Sequence, residues 1–314
     1  VVVVAVDGRV QDARDERARP VRRHGVLIAL LAVQVCFATA PVAVKLALRE
    51  LSSPALAMLR VTAATVLFLL LHRALSDERI LERRDYLRLA MYALFGVVLN
   101  QLLYITALTH TTATAAQTLV TAGPAMTLLV AILLRRETAT GGKWLGIALA
   151  ASGALYLVGM EWGGSAGTGN LLVLLNVLAF SIYLVISRDI LKRYSPLTVV
   201  TWVFVFGTVG MAPVGAAAAF REAGDVSLAT WMVVAWIVVV PTVGAYYLNQ
   251  WALQRVEASV VAVFTYLQPV GTALLAIPIL GERPGWRLVP AAVLIFLGVG
   301  ITARLGRRAA PPAV

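Results

Sequence analysis

The chain has 314 residues, 60% hydrophobic and only 14% charged, with a mean hydropathy of +0.84 and a net charge of +11. An ordinary soluble domain carries about 45–50% apolar and about 25% charged residues, so the polar residues here are too few to clothe a water-soluble globule. The positive charge does not indicate a nucleic-acid partner, because the cations lie in short patches between apolar runs and not along one solvated face.

Residues 1–25 are expected to form a cytoplasmic tail. Their charges follow the apolar VVVVAV stretch, which is not the layout of a cleaved signal peptide. From Val26 onward the apolar runs approach 20 residues, the length an α-helix needs to cross the hydrocarbon core. They predict an all-α integral membrane protein with ten spans: 26–47, 54–74, 86–108, 112–134, 143–160, 170–190, 196–220, 228–252, 257–280 and 287–304. A short C-terminal tail follows from residue 305. With the N-terminus inside, 21 of the 27 Lys and Arg fall at the inner segments and five at the outer loops, and Arg60 lies within a span. The excess of inner cations places both termini in the cytoplasm and the chain in the inner (plasma) membrane.

Cys36 is the sole cysteine, and His24, His72 and His110 are scattered. Neither a disulfide within the chain nor a metal site is expected, and no cofactor is implied.

The ninth span and its exit read FTYLQPVGTALLAIPILGERPGW (264–286). The fourth, LVTAGPAMTLLVAILLRRETATG (119–141), matches it at an offset of 145. Pro124 falls on Pro269, Thr127 on Thr272, Glu137 on Glu282 and, downstream, Gly153 on Gly298. Between 103 and 137 ten of 35 positions are identical without a gap. At an offset of 143, Phe37 and Lys45 fall on Phe180 and Arg188. The chain therefore reads as two five-helix repeats, 26–160 and 170–304. Five is odd, so the second repeat enters the membrane from the opposite side, the arrangement of many secondary transporters whose site lies between the repeats.

These paired Pro-to-Glu segments, with PVAVKLALRELSSPALAMLR (41–60) and YYLNQWALQRVEASVVAVFTYLQPVGTALLAIPILGE (246–282), resemble the EamA-type transporters of the drug/metabolite superfamily. The resemblance covers residues 26–304. It implies ten helices around a central cavity and the movement of small metabolites. One departure is Phe37, where many relatives carry a Trp-Gly pair.

Within the spans, Pro124 and Pro269 are expected to kink their helices and free a carbonyl beside the translocation path; a packing kink is the alternative. Pro278 has no counterpart and reads as local. Gln101 and Tyr104 align with Tyr246 and Asn249, each pair on one helix face. Thr121 aligns with Tyr266. Asn100, Gln250 and Gln268 add amides, as do Gln34 and Gln117. This uncharged donor and acceptor set suits small polar or zwitterionic cargo; hydrogen bonding between helices is the alternative.

Arg60 is the only charge well inside a span, so it is a candidate to bind a substrate carboxylate. Snorkelling to the outer interface is its other reading. Lys45 and Arg188 read as interfacial anchors. Glu137 and Glu282, at opposite faces, are expected to cap neighbouring helix N-termini. No Asp or Glu lies deep in a span, which favours facilitated transport or exchange, with proton coupling through the edge carboxylates still open. The fifth and tenth spans carry small residues at i, i+4 spacing and read as packing helices or a dimer contact, so the protein is a monomer or homodimer.

The sequence reading is a secondary transporter for amino acids, related metabolites or drugs, with export taken from the resemblance. An integral-membrane enzyme would need a nucleophile and base, a metal constellation or paired carboxylates in the membrane, and the spans supply no such set. A non-transporting sensor or scaffold is the third reading.

Overall fold

The computed structural model describes residues 23–138, 140–159, 164–245, 248, 264 and 267–308, and every regular element among them is helical. In chain order these are α1 (Arg23–Ala47), α2 (Ser53–Leu75), α3 (Arg83–Ala93), a π-helical segment (Leu94–Leu99), α4 (Asn100–His110), α5 (Ala113–Val120), α6 (Gly123–Leu133) and α7 (Gly141–Gly159). Then come α8 (Ser165–Ile186), a 3-10 turn (Ile190–Lys192), α9 (Pro196–Glu222), α10 (Leu228–Ile237), a second π-helical segment (Val238–Gly244), α11 (Leu267–Leu280) and α12 (Leu288–Arg308).

Five helical runs are long and apolar enough to cross a membrane: Ile28–Ala47, α2, the continuous α3–α4 run, α8 and α9. The α5–α6 pair makes a sixth if its two pieces, bent by 42°, count as one span. The described parts of α10, α11 and α12 are shorter apolar helices. In lipid every backbone N–H must find its carbonyl within the chain, so Val-rich sequence that is an indifferent helix former in water is held helical here.

Local chemistry marks the helix starts. Ser52, Thr112, Ser195 and Ser227 precede α2, α5, α9 and α10, and each side-chain oxygen accepts from the N–H three residues on. Pro54 and Pro196 occupy the first turn, where no donor is missed. The start of α8 differs from its expected position near residue 170, because the helix begins at Ser165 within a Gly-rich stretch. Gly169 in its second turn sets a close contact: a Cβ there would lie 2.7 Å from the Thr111 nitrogen, so glycine lets α8 approach the turn before α5. Thr111 Oγ1 donates to Asn170 Oδ1 at 2.6 Å across this contact.

The expected kink at Pro124 is a full break. Thr121 N and Ala122 N turn back to Thr118 O and Leu119 O in a tightened turn, and Pro124 sits in the first turn of α6. A proline inside a helix cannot serve the carbonyl four residues earlier, and here the chain restarts the helix just ahead of it. Residues 265 and 266, ahead of Pro269, lie outside the described residues, so the expected kink there does too. Pro278 stays inside α11.

The tightest helix packing joins α7 to α12 and α2 to α9; α4 lies on α8, and α1 on α11. Glycines set two of these approaches. A Cβ on Gly298 would meet the Ala150 nitrogen at 2.4 Å, and one on Gly153 would meet the Ala291 carbonyl at 2.7 Å. A Cβ on Gly215 would meet the Pro54 carbonyl at 2.5 Å.

Loop contacts fall into two sets. In one, Ser52 N and Oγ donate to the Glu222 carboxylate, both at 2.7 Å, and Ser227 N and Oγ donate to Glu50 at 2.7 and 2.8 Å. In the other, Ser195 N and Oγ donate to Glu78 Oε2 at 2.9 and 2.7 Å. Arg193 there pairs with Glu82 at 2.6 Å and with the fully buried Asp85 at 2.9 Å, and Tyr194 donates its hydroxyl to Asp85.

Candidate functional site

Some of the predicted site residues fall in two polar clusters. In the first, three buried glutamines meet from three helices. Gln268 on α11 donates through Nε2 to Gln34 Oε1 on α1 at 2.7 Å, and Gln117 on α5 donates to Gln268 Oε1 at 2.5 Å. A primary amide carries both donors and an acceptor, so three in series satisfy one another without charge. Gln34 and Gln117 come from the first half of the chain and Gln268 from the second.

The second cluster surrounds Arg60 on α2. Its Nη2 donates to Thr242 Oγ1 at 3.2 Å, while its Nε is buried with no hydrogen-bond partner. Tyr104 on α4 is its electrostatic neighbour. One turn before Tyr104, Gln101 donates to Asn100 Oδ1 at 3.3 Å, and its own Oε1 is buried without a partner. The cluster therefore holds a half-buried arginine whose Nε is buried, with one hydroxyl bonded to its guanidinium and no carboxylate paired to it among the described residues.

Two residues of this region were not anticipated. Thr242 lies in the π-helical segment after α10; its hydroxyl donates to Ile237 O at 2.8 Å and accepts from Arg60. Asn176 on α8 donates to the Asn100 carbonyl at 2.7 Å, just past the first π-helical segment. The two π-helical segments begin at Leu94 and Val238, 144 residues apart, close to the repeat offset. Pro241, directly before Thr242, is the one sequence signal that could have drawn attention there.

The other predicted residues are placed as follows. Thr121 is buried in the break between α5 and α6, and its hydroxyl donates to Thr118 O in its own turn. Tyr246, Asn249, Gln250 and Tyr266 lie outside the described residues. Glu282 accepts from Ala113 N at 2.6 Å, Thr114 N at 3.2 Å and Thr114 Oγ1 at 3.0 Å, at the start of α5. It also lies 3.7 Å from Lys45 Nζ. Glu137 lies 3.3 Å from Lys143 Nζ and 3.7 Å from Arg188 Nη1. Its counterpart helix start, at Ala258 and Ser259, is outside the described residues. Lys45 and Arg188, expected as interfacial anchors, thus sit against carboxylates.

A cavity of about 200 Å³ opens between α1, α10 and α11, lined by Thr39, Val42, Ala43, Val233, Trp236 and other apolar side chains and by none of the predicted site residues. Among the described residues no cluster of His, Cys, Asp and Glu could hold a metal ion.

Two uncharacterized transporters of Archaeoglobus fulgidus are each 26% identical to this chain. One alignment spans 88% of this chain and 98% of the relative; the other spans 69% and 76%. A crystal structure superposes with a TM-score of 0.59 over 91% of this chain and 99% of the other, at 19% identity, a likeness of fold. Residues 24–159 and 167–304 each match the EamA-like transporter family, so the chain, a multi-pass membrane protein, belongs to that family.

Proposed function

We propose that the chain is a secondary transporter that exports small polar metabolites across the inner membrane by alternating access between two inverted five-helix halves. One observation carries this reading: contacts between the halves recur with the halves exchanged. Ser52 of the first half binds Glu222 of the second, and Ser195 of the second binds Glu78 of the first. Ser52 and Ser195 are 143 residues apart, and Glu78 and Glu222 are 144 apart. The two contacts belong to different loop sets. A chain folded as two unlike domains has no reason to repeat a contact this way, whereas two inverted copies of one unit meet reciprocally at opposite faces. The glycine approaches of Gly153 and Gly298 support the same relation.

In this reading the hollow lies between the halves near the midplane. Gln34, Asn100, Gln101, Tyr104, Gln117, Thr121 and Gln268 line it, with Tyr246, Asn249, Gln250 and Tyr266 contributed by the second half. Arg60 takes a substrate carboxylate. A guanidinium inside a membrane bundle is costly without a counter-charge, and its unpartnered Nε and the nearby Tyr104 hydroxyl are the donors an incoming carboxylate needs. With no acidic residue deep in the spans, transport runs by exchange or facilitated diffusion.

The test is uptake into inside-out vesicles from a panel of amino acids, aromatic metabolites and drugs, with and without a proton gradient. Saturable flux of a carboxylate-bearing solute, unchanged when the gradient is collapsed, is expected. Arg60→Ala should raise KM by about thirtyfold or more, in line with the loss of one partner of a buried charge pair, while membrane insertion stays normal. Absence of flux for every solute, or an Arg60→Ala protein with native KM, would contradict the reading.

A further inference from the structure

Glu137 and Glu282 each follow a turn that ends a helix. Glu282 N bonds back to Ala276 O, and Glu137 N to Ala131 O, each closing on the carbonyl six positions earlier. Gly281 makes the turn possible in the second half with φ +68°, and Arg135 takes the left-handed conformation in the first, with φ 56°. Both turns deliver a carboxylate to a cation of the opposite half. Glu282 lies 3.7 Å from Lys45, and Glu137 lies 3.7 Å from Arg188. Lys45 and Arg188 are themselves counterparts, 143 residues apart. Exchange of the halves thus converts one ion pair into the other.

The surroundings of the two pairs are unequal. Lys45 and Glu282 are 23% and 7% exposed, and Glu282 is also bound by two N–H groups of α5. Arg188 and Glu137 are 55% and 33% exposed, and Glu137 is drawn at shorter range to Lys143 of its own half, at 3.3 Å. The two ion pairs both join the halves, but the Lys45–Glu282 pair is much more deeply buried than the Arg188–Glu137 pair. Equivalent sequence held in unequal states is what a bundle with two alternating conformations displays in either of them.

We propose that Lys45–Glu282 and Arg188–Glu137 are the two gates of the transporter, closing in turn, and that this structure is the conformation closed at the Lys45 face. The proposal rests on the reading of the chain as an inverted-repeat transporter. Both pairs are long, at 3.7 Å, and the exposed Arg188–Glu137 pair is weak, which suits contacts that must break in every cycle. The α2–α9 and α7–α12 pairs, held by backbone packed against glycine, each join one half to the other and serve as the pivots about which the halves move.

The test uses Thr121→Cys as a thiol reporter in a Cys36→Ala background, labelled with a membrane-impermeant maleimide in right-side-out and inside-out vesicles. Lys45→Gln removes the cross-half charge and leaves Glu282 on the start of α5, so it should raise labelling from the Lys45 face about fivefold and lower it from the other. Arg188→Gln should do the reverse, and Lys45→Arg should label like the parent. Unchanged rates in both glutamine variants, or shifts of both in one direction, with normal membrane levels, would overturn the gates. A reporter that no variant exposes from either face would remove the hollow itself, and with it the transporter reading, which is a different failure.

Discussion

Carboxylates bound to serine at helix starts recur through this protein. A helix start leaves four N–H groups without partners, and near lipid these are costly to leave bare. Ser52, Ser195 and Ser227 each cap their own helix, and each gives its N–H and hydroxyl to a glutamate from the other half of the chain. Glu50 shows the electrostatic consequence. The Ser227 backbone N–H, then the Ser227 and Thr230 hydroxyls, hold its carboxyl below its ordinary value of 4.5. A depressed folded-state pKa contributes stability that is present above the unfolded value and lost as pH falls through the folded one. Glu50→Gln should therefore melt below the parent at about pH 6, and the gap should close below about pH 4, as read by thermal unfolding in detergent. A gap independent of pH would assign the effect to packing. Glu282 could be foreseen as a cap, because it follows the end of an apolar run that the repeat offset ties to Glu137. The roles of Glu50, Glu78 and Glu222 could not, since their partners lie 177, 117 and 170 residues away and no local spacing expresses them.

Among the helices, small residues decide which pairs stay close. The sequence shows the small-residue stripes of 143–160 and 287–304, and those helices, α7 and α12, pack on each other. Gly298→Ala would drive a methyl into the backbone of α7 near Ala150, and overpacking of this kind costs about 1–3 kcal/mol. Gly300→Ala, two residues on, has open space and should be neutral or stabilising by about 0.5–1 kcal/mol. Thermal unfolding of the two variants checks this; equal melting points would remove glycine from the account of α7–α12 packing. Other features at this scale were not legible. Insertion of one residue into a helical turn leaves no trace in a run that is apolar on every side, so the π-helical segments and Thr242 escaped notice. The bend expected at Pro124 falls in the turn directly ahead of it, at Thr121–Ala122: proline marks the disturbed turn, but the chain chooses where ahead of it to restart.

For the molecule as a whole, family membership and the presence of many spans were legible because lipid permits few backbone solutions, and each leaves a long apolar run. The candidate site shows in the sequence as a list of polar residues in such runs, but not as an arrangement. That Gln34, Gln117 and Gln268 meet while Arg60 gathers Tyr104 and Thr242 depends on helix packing, which the residue types do not encode singly. The arrangement proposed above puts the turn after α6 and the turn after α11 on opposite membrane faces. Gly141 and Gly285 are suited to test this, since both have open space for a side chain. In a Cys36→Ala background, Gly285→Cys should react with an impermeant thiol reagent applied outside intact cells, and Gly141→Cys should react only in inside-out vesicles. Reaction of both from one side would contradict the inverted halves and the transport mechanism built on them.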